Sequence, residues 1–141
     1  MIDVSELMNP QNPRWVTQTR FFDPERPMDV CTGNCTEAAL ASVLGIGLDE
    51  VPSFYGMQSL EYWTAVETFI NLRGYDFDML KADAKPEGLY LADGPSERGC
   101  GHFVVMYAGQ MVHDPHPSRA GLVEIERVWT IIPMKDNKDV P

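Results

Sequence analysis

Positive charge is scarce in this sequence: Lys and Arg number 11 against 21 Asp and Glu, a formal net charge of −10 over 141 residues. A surface of that sign repels nucleic-acid backbones and anionic membranes, so neither is expected as a partner. Long apolar runs are missing, since no stretch approaches the roughly 18 residues of a membrane-spanning helix. The start, MIDVSELMNPQNPRW, lacks a basic region followed by an apolar one, so no secretory signal is expected and the cytoplasm is the expected location. Three cysteines, Cys31, Cys35 and Cys100, are too few, and odd in number, for a disulfide framework. There is no internal repeat and no low-complexity tract. What remains is the composition of one globular domain, residues 1–141, with 1–14 as an N-terminal arm and 134–141 as a C-terminal tail.

The hydrophobic pattern divides that domain in two. Asn34 suits a helix N-cap and Glu37 completes the shape of a capping box. Ala39, Leu40, Val43 and Leu44 follow at helical spacing, with Gly45 and Gly47 as stops. A second helix is expected from Ser59 to Arg73, with Trp63, Val66, Phe69 and Ile70 on one stripe. The period then becomes two: Tyr75, Phe77 and Met79 alternate with Asp76 and Asp78. Further strands are expected at 88–94, 102–107 and 111–114, with one or two more in 122–132. WVTQTRFF (15–22) has strand-like composition, 23–34 reads as a loop, and Asp93-Gly94-Pro95-Ser96 carries strong turn chemistry. Helices mostly precede strands, which points to an α+β domain with an antiparallel sheet.

The chemistry starts at VCTGNCTEAALASVLG (30–45). Behind an N-cap at Asn34, Cys35 sits in a first helical turn, where unpaired N–H groups and the macrodipole favour a thiolate. Cys31 is the rival nucleophile, but its place in a loop before Thr32-Gly33 gives it no such assistance. The segment CGHFVVMYAGQMVHDPHP (100–117) reads as a hairpin turning near Ala108. A turn centred on Ala108 sets His102 opposite Asp114, whereas a tighter Ala108-Gly109 turn sets Phe103 there. In either register an imidazole and a carboxylate become cross-strand neighbours. A thiol at a helix start, an imidazole and an orienting acid compose a Cys–His–Asp nucleophilic site.

A metal centre is the competing use of these groups. Cys31, Cys35, Cys100, His102, His113, Asp114 and His116 supply suitable atoms, but their spacing matches no familiar zinc pattern. No metal and no cofactor are expected, and His113 and His116 read as turn and surface residues stabilising DPHPS. Arg98, in the loop leading to His102, is either a bidentate anchor for a substrate carboxylate or a solvated loop arginine.

The order of these pieces resembles papain-like cysteine peptidases: a helix-borne Cys, a distant GHFVV strand, then an acid closing the next strand. Within that superfamily it is closest to the compact bacteriocin-processing, C39-like type. GNCTEAALASVL, GPSERGCGHFVV and VHDPHPSRAGL also resemble small papain-fold proteins of bacteria and their phages, over about residues 18 to 122. The resemblance implies a papain-like fold, with the helix carrying Cys35 packed on an antiparallel sheet carrying His102 and Asp114. It also implies a glutamine upstream of the nucleophile as oxyanion-hole donor. Gln18 is the candidate, although the interval to Cys35 is longer than usual and requires 23–33 to bulge out.

The function expected from this pattern is a thiol hydrolase cleaving a peptide, amide or isopeptide bond through a thioester. Its substrates are expected to be basic or neutral, and its compartment the cytoplasm of a producing or infected cell. A transamidase, acyltransferase or deamidase would use the same triad, and a catalytically silent binding or inhibitory protein would reuse the same fold.

Overall fold

Alanine-rich helices bury easily, because alanine favours helix and lets neighbouring elements approach closely. The computed structural model, which describes residues 3–25 and 32–134, places such a helix at its centre. A single turn, α1 (Val4–Leu7), precedes this helix, α2 (Cys35–Leu44), and a 3-10 turn at Leu48–Glu50 follows it. In α2 every residue from Thr36 to Val43 is buried, polar Thr36, Glu37 and Ser42 included. Gly45 closes it in the left-handed region at φ 71°. The Arg14 guanidinium donates to the last-turn carbonyls of Ser42 (2.8 Å) and Val43 (2.5 Å).

The second helix, α3 (Ser59–Leu72), buries Val66 and Ile70 and leaves Trp63 and Phe69 half-buried. Five strands follow: β1 (Tyr75–Leu80), β2 (Leu89–Pro95), β3 (Gly101–Tyr107), β4 (Gln110–His113) and β5 (Arg127–Pro133). They form one antiparallel sheet in the order β1-β5-β2-β3-β4, the last strand entering between the first two. This is the mixed α+β architecture with an antiparallel sheet that the pattern predicts.

Strand alternation gives the sheet two apolar faces. Phe77, Leu91, Phe103, Val105 and Ile131 join Leu40, Val66 and Ile70 in the main core. Tyr90, Ala92, Val104, Met106 and Val128 form a smaller cluster, covered by Leu122 and Ile125. Among the described residues no helix is long and apolar enough to cross a membrane.

Several local expectations are corrected. Residues 15–22 are not a strand, because their backbone groups are engaged by α2 and by the segment after β4 rather than by a neighbouring ladder. Val16 N–H donates to the Ser42 hydroxyl (2.9 Å), Gln18 N–H to the Pro115 carbonyl (2.9 Å), and the N–H groups of Thr19 and Arg20 to Asn34 Oδ1 (2.9 and 2.8 Å). The same bonds undo the expected capping box: the Asn34 side chain makes no cap, being committed to residues 19 and 20. The strand expected within 122–132 begins only at Arg127, and Val123 is exposed. Residues 122–126 instead cross tightly over β2, where a Cβ on Gly94 would lie 2.1 Å from the Glu124 carbonyl oxygen. The turn expected at 93–96 gives way to strand through Pro95, and the chain reverses over Ser96–Cys100. Met79 is exposed, although Phe77 on the same face of β1 is buried. Cys31 and the tail from 135 onward lie outside the described residues; Met134 is tied by its N–H to the Gly74 carbonyl at 2.9 Å.

Candidate active site

The hairpin comes first, because it brings the imidazole to the acid. Ala108 (φ 52°) and Gly109 (φ 81°) both have positive φ, the signature of a two-residue turn matched to the strand twist. Tyr107 pairs with Gln110 and Met106 with Met111; the register then shifts, and Val105 pairs with His113. The tighter of the two expected turns is therefore the one formed, and a bulge moves the pairing one residue further. Asp114 faces neither His102 nor Phe103 directly. It reaches back diagonally, and His102 Nε2 lies 2.6 Å from Asp114 Oδ1 with both side chains almost completely buried.

The acid is held independently of the histidine. Asp114 Oδ1 also accepts the His116 N–H and Oδ2 accepts the Gly121 N–H, each at 2.8 Å. The segment 114–121 thus wraps its own carboxylate, which explains the Pro- and Gly-rich composition of DPHPSRAG. Burial alone would raise the Asp114 carboxyl, but these hydrogen bonds and the charge of His102 hold it below the usual carboxylate range.

The thiol arrives from the other side. Cys35 opens α2, is partly exposed and is a free cysteine. It lines the same cleft as His102, and with Nε2 committed to Asp114, Nδ1 is the ring nitrogen left for sulfur. Burial works against a charge on His102, but the Asp114 carboxylate, and then the neighbouring Cys35, carry the imidazole up to about 9. No Asn34 side-chain cap covers the start of α2, so Cys35 stands in the first turn, where the helix carries its positive end.

Gln18, Cys35 and His102 line one cleft of about 560 Å³. Gln18 reaches it because residues 20–23 and 32–34 are pinched together. Asn34 N–H donates to the Arg20 carbonyl (3.2 Å), and Asp23 N–H to the Thr32 hydroxyl (2.9 Å). The long interval is closed as a loop at its base. One Nε2–H of Gln18 donates to the Arg20 carbonyl at 2.9 Å, while Oε1 is buried without a partner among the described residues. Arg98 also lines the cleft, on the Ser96–Cys100 reversal, as does Cys100, whose sulfur lies 3.4 Å from the Ser96 hydroxyl.

His113 stands apart from these groups. It stacks on Trp15 with ring centroids 5.1 Å apart and donates from Nε2 to the Val16 carbonyl at 2.7 Å. Burial pushes its imidazole below the ordinary value. No group of three or more His, Cys, Asp or Glu side chains is gathered for a metal ion among the described residues.

Two parts of the cleft were not legible in the sequence as site residues. His116, expected as a turn residue, lines it with its ring 6.2 Å from that of His102. Arg127, also lining the cleft, is paired with Asp93 (Nε–Oδ1 3.2 Å, Nη2–Oδ2 2.5 Å) and lies over the rings of Trp63 and Trp129. Trp63, expected on the apolar stripe of its helix, lines the cleft with Tyr62, and Tyr62 is hydrogen-bonded to the Thr36 hydroxyl. The only early signals for them were His116 lying two residues beyond Asp114 and Arg127 opening an otherwise apolar strand. Comparisons with protein-family models, curated proteins and solved structures return no match.

Proposed function

We propose that this chain is a cysteine-dependent hydrolase of papain-like design, acting on an amide bond through a thioester. One observation carries the reading: the buried His102–Asp114 pair, 2.6 Å apart, shares a cleft with a free thiol at the start of a helix. A purely structural histidine has no need of a reactive partner, as His113 illustrates.

In the proposed reaction His102 takes the Cys35 proton and the thiolate attacks the substrate carbonyl. The tetrahedral oxygen is met by the Cys35 N–H and the remaining Nε2–H of Gln18. As the C–N bond breaks, the imidazolium gives its proton to the leaving amine and a thioester remains. Water, deprotonated by His102, then adds to the thioester carbonyl; the C–S bond breaks and the thiol is restored. Asp114 fixes the ring's orientation and stabilises its charge.

Alkylation of each cysteine by iodoacetamide, read by mass spectrometry, tests this. Cys35 is expected to react rapidly at pH 6.5, and His102→Ala is expected to slow it about a hundredfold, because an ordinary thiol is only about one per cent ionised there. Equal rates in the two proteins, or a Cys35 no faster than Cys100, would overturn the reading.

A further inference from the structure

One wall of the cleft is rich in donors that the reaction above does not use. Asp93 is the one carboxylate among the described lining residues. It is already occupied, since Arg127 takes both of its oxygens and Trp129 Nε1 donates to one at 3.0 Å. Arg98, by contrast, meets only the Ser118 hydroxyl among the described residues, at 3.4 Å. Ser118 also orients His116: its backbone N–H donates to Nδ1 at 3.0 Å, so the ring proton of the neutral imidazole resides on Nε2. Burial, and then the charge of Arg98, hold His116 below the ordinary imidazole value. Among its described lining residues the cleft therefore carries a guanidinium and an N–H donor with no free acid to meet them, inside a protein of net charge −10.

We propose that Arg98 and the His116 Nε2–H form a subsite for a carboxylate on the amine half of the substrate, an inference that rests on the hydrolase reading. The geometry selects the amine half. The leaving nitrogen must stand within hydrogen-bond reach of His102 to receive its proton, and the His116 ring lies 6.2 Å from that of His102. An α-carboxylate carbon lies roughly 2.5 Å from its own nitrogen by ordinary bond lengths, so an amino-acid leaving group spans the gap. The chemistry is unchanged: the C–S bond forms, the C–N bond breaks, and the departing amine takes the His102 proton with its carboxylate against Arg98. The expectation of basic or neutral substrates, drawn from net charge, is replaced at this site by an acidic one. Net charge describes the whole surface, whereas the described lining of the cleft holds two guanidinium groups and one carboxylate.

Two alkylating agents that differ in charge test the subsite. Relative to free cysteine, Cys35 is expected to favour iodoacetate over iodoacetamide by at least about threefold, the effect of one cation near 6 Å in a well-solvated cleft. Arg98→Gln combined with His116→Gln is expected to remove most of that preference. Taking the ratio of the two rates cancels any change in the thiol itself. If iodoacetamide labels Cys35 no faster than an unfolded thiol, the hydrolase reading has failed. If it labels fast but the preference is absent, or survives both substitutions, only the subsite is wrong. N-acetyl-glycylglycine and an N-acetyl-aspartyl amide, compared as protectants, separate the carboxylate sources. Protection by the first alone assigns a chain-terminal carboxylate, protection by the second assigns an acidic side chain, and protection by neither overturns the proposal.

Discussion

The β3–β4 hairpin carries a buried histidine in each strand, and the two are treated in opposite ways. His102 meets a carboxylate and a thiol at the cleft, and its imidazole is raised to about 9. His113 meets a backbone carbonyl and the flat face of Trp15, and its imidazole is lowered. Burial penalises charge at both, so it cannot explain the difference. The neighbours do: a carboxylate repays the desolvation of an imidazolium, and a neutral carbonyl does not. The surroundings of His102 are built to hold charge, and those of His113 to pin residues 15–16 onto the sheet.

The largest expected stability effect comes from breaking the charged pair. Asp114→Ala removes the carboxylate that compensates His102 and leaves two backbone N–H groups without an acceptor, so a loss of about 3–5 kcal/mol is expected in urea unfolding. His113→Gln removes a stack and disturbs one neutral hydrogen bond, and about 1–3 kcal/mol is expected. Equal losses would show that charge contributes nothing particular at His102.

The pH dependence sharpens the same contrast. Because His102 is raised in the folded state, its contribution is complete below the unfolded value of about 6.5 and is lost as pH rises through about 9. His113 is lowered, so its contribution is complete above that unfolded value and is lost as pH falls toward its folded one. Thermal melts between pH 5 and 10 should therefore lose their alkaline slope in His102→Gln and their acid slope in His113→Gln. A profile unchanged by either substitution would contradict the assignment.

The smallest effect lies at the turn joining the two strands. Ala108 has φ 52°, a conformation that Asn tolerates better. Ala108→Asn should add about 0.5–1 kcal/mol and leave the alkylation rate of Cys35 unchanged. A changed rate would mean that the turn also sets the relation of His102 to Asp114.

Much of this was legible because it is local. The helix from Cys35, the helix from Ser59 and four of the strands follow from period and from Gly stops. Asp114 came within reach of His102 on the expected hairpin even though the bulge was not foreseen. The Asn34 cap failed for a non-local reason: its carbonyl and amide are taken by residues 19 and 20, which no pattern around residue 34 announces. His116 and Arg127 went unread because neither forms a motif with its sequence neighbours.

The sequence alone determined the α+β class, the helix presenting Cys35 and the hairpin bearing His102 and Asp114, since these depend on contacts between residues near in the chain. Tertiary structure decided that Gln18 and the thiol share a cleft, that His113 is a clasp rather than a site residue, and that the described lining of the cleft holds Arg98 and Arg127 with Asp93 as its one carboxylate. Those outcomes depend on which distant groups desolvate one another. Periodicity records which side of an element is buried, but not what it is buried against.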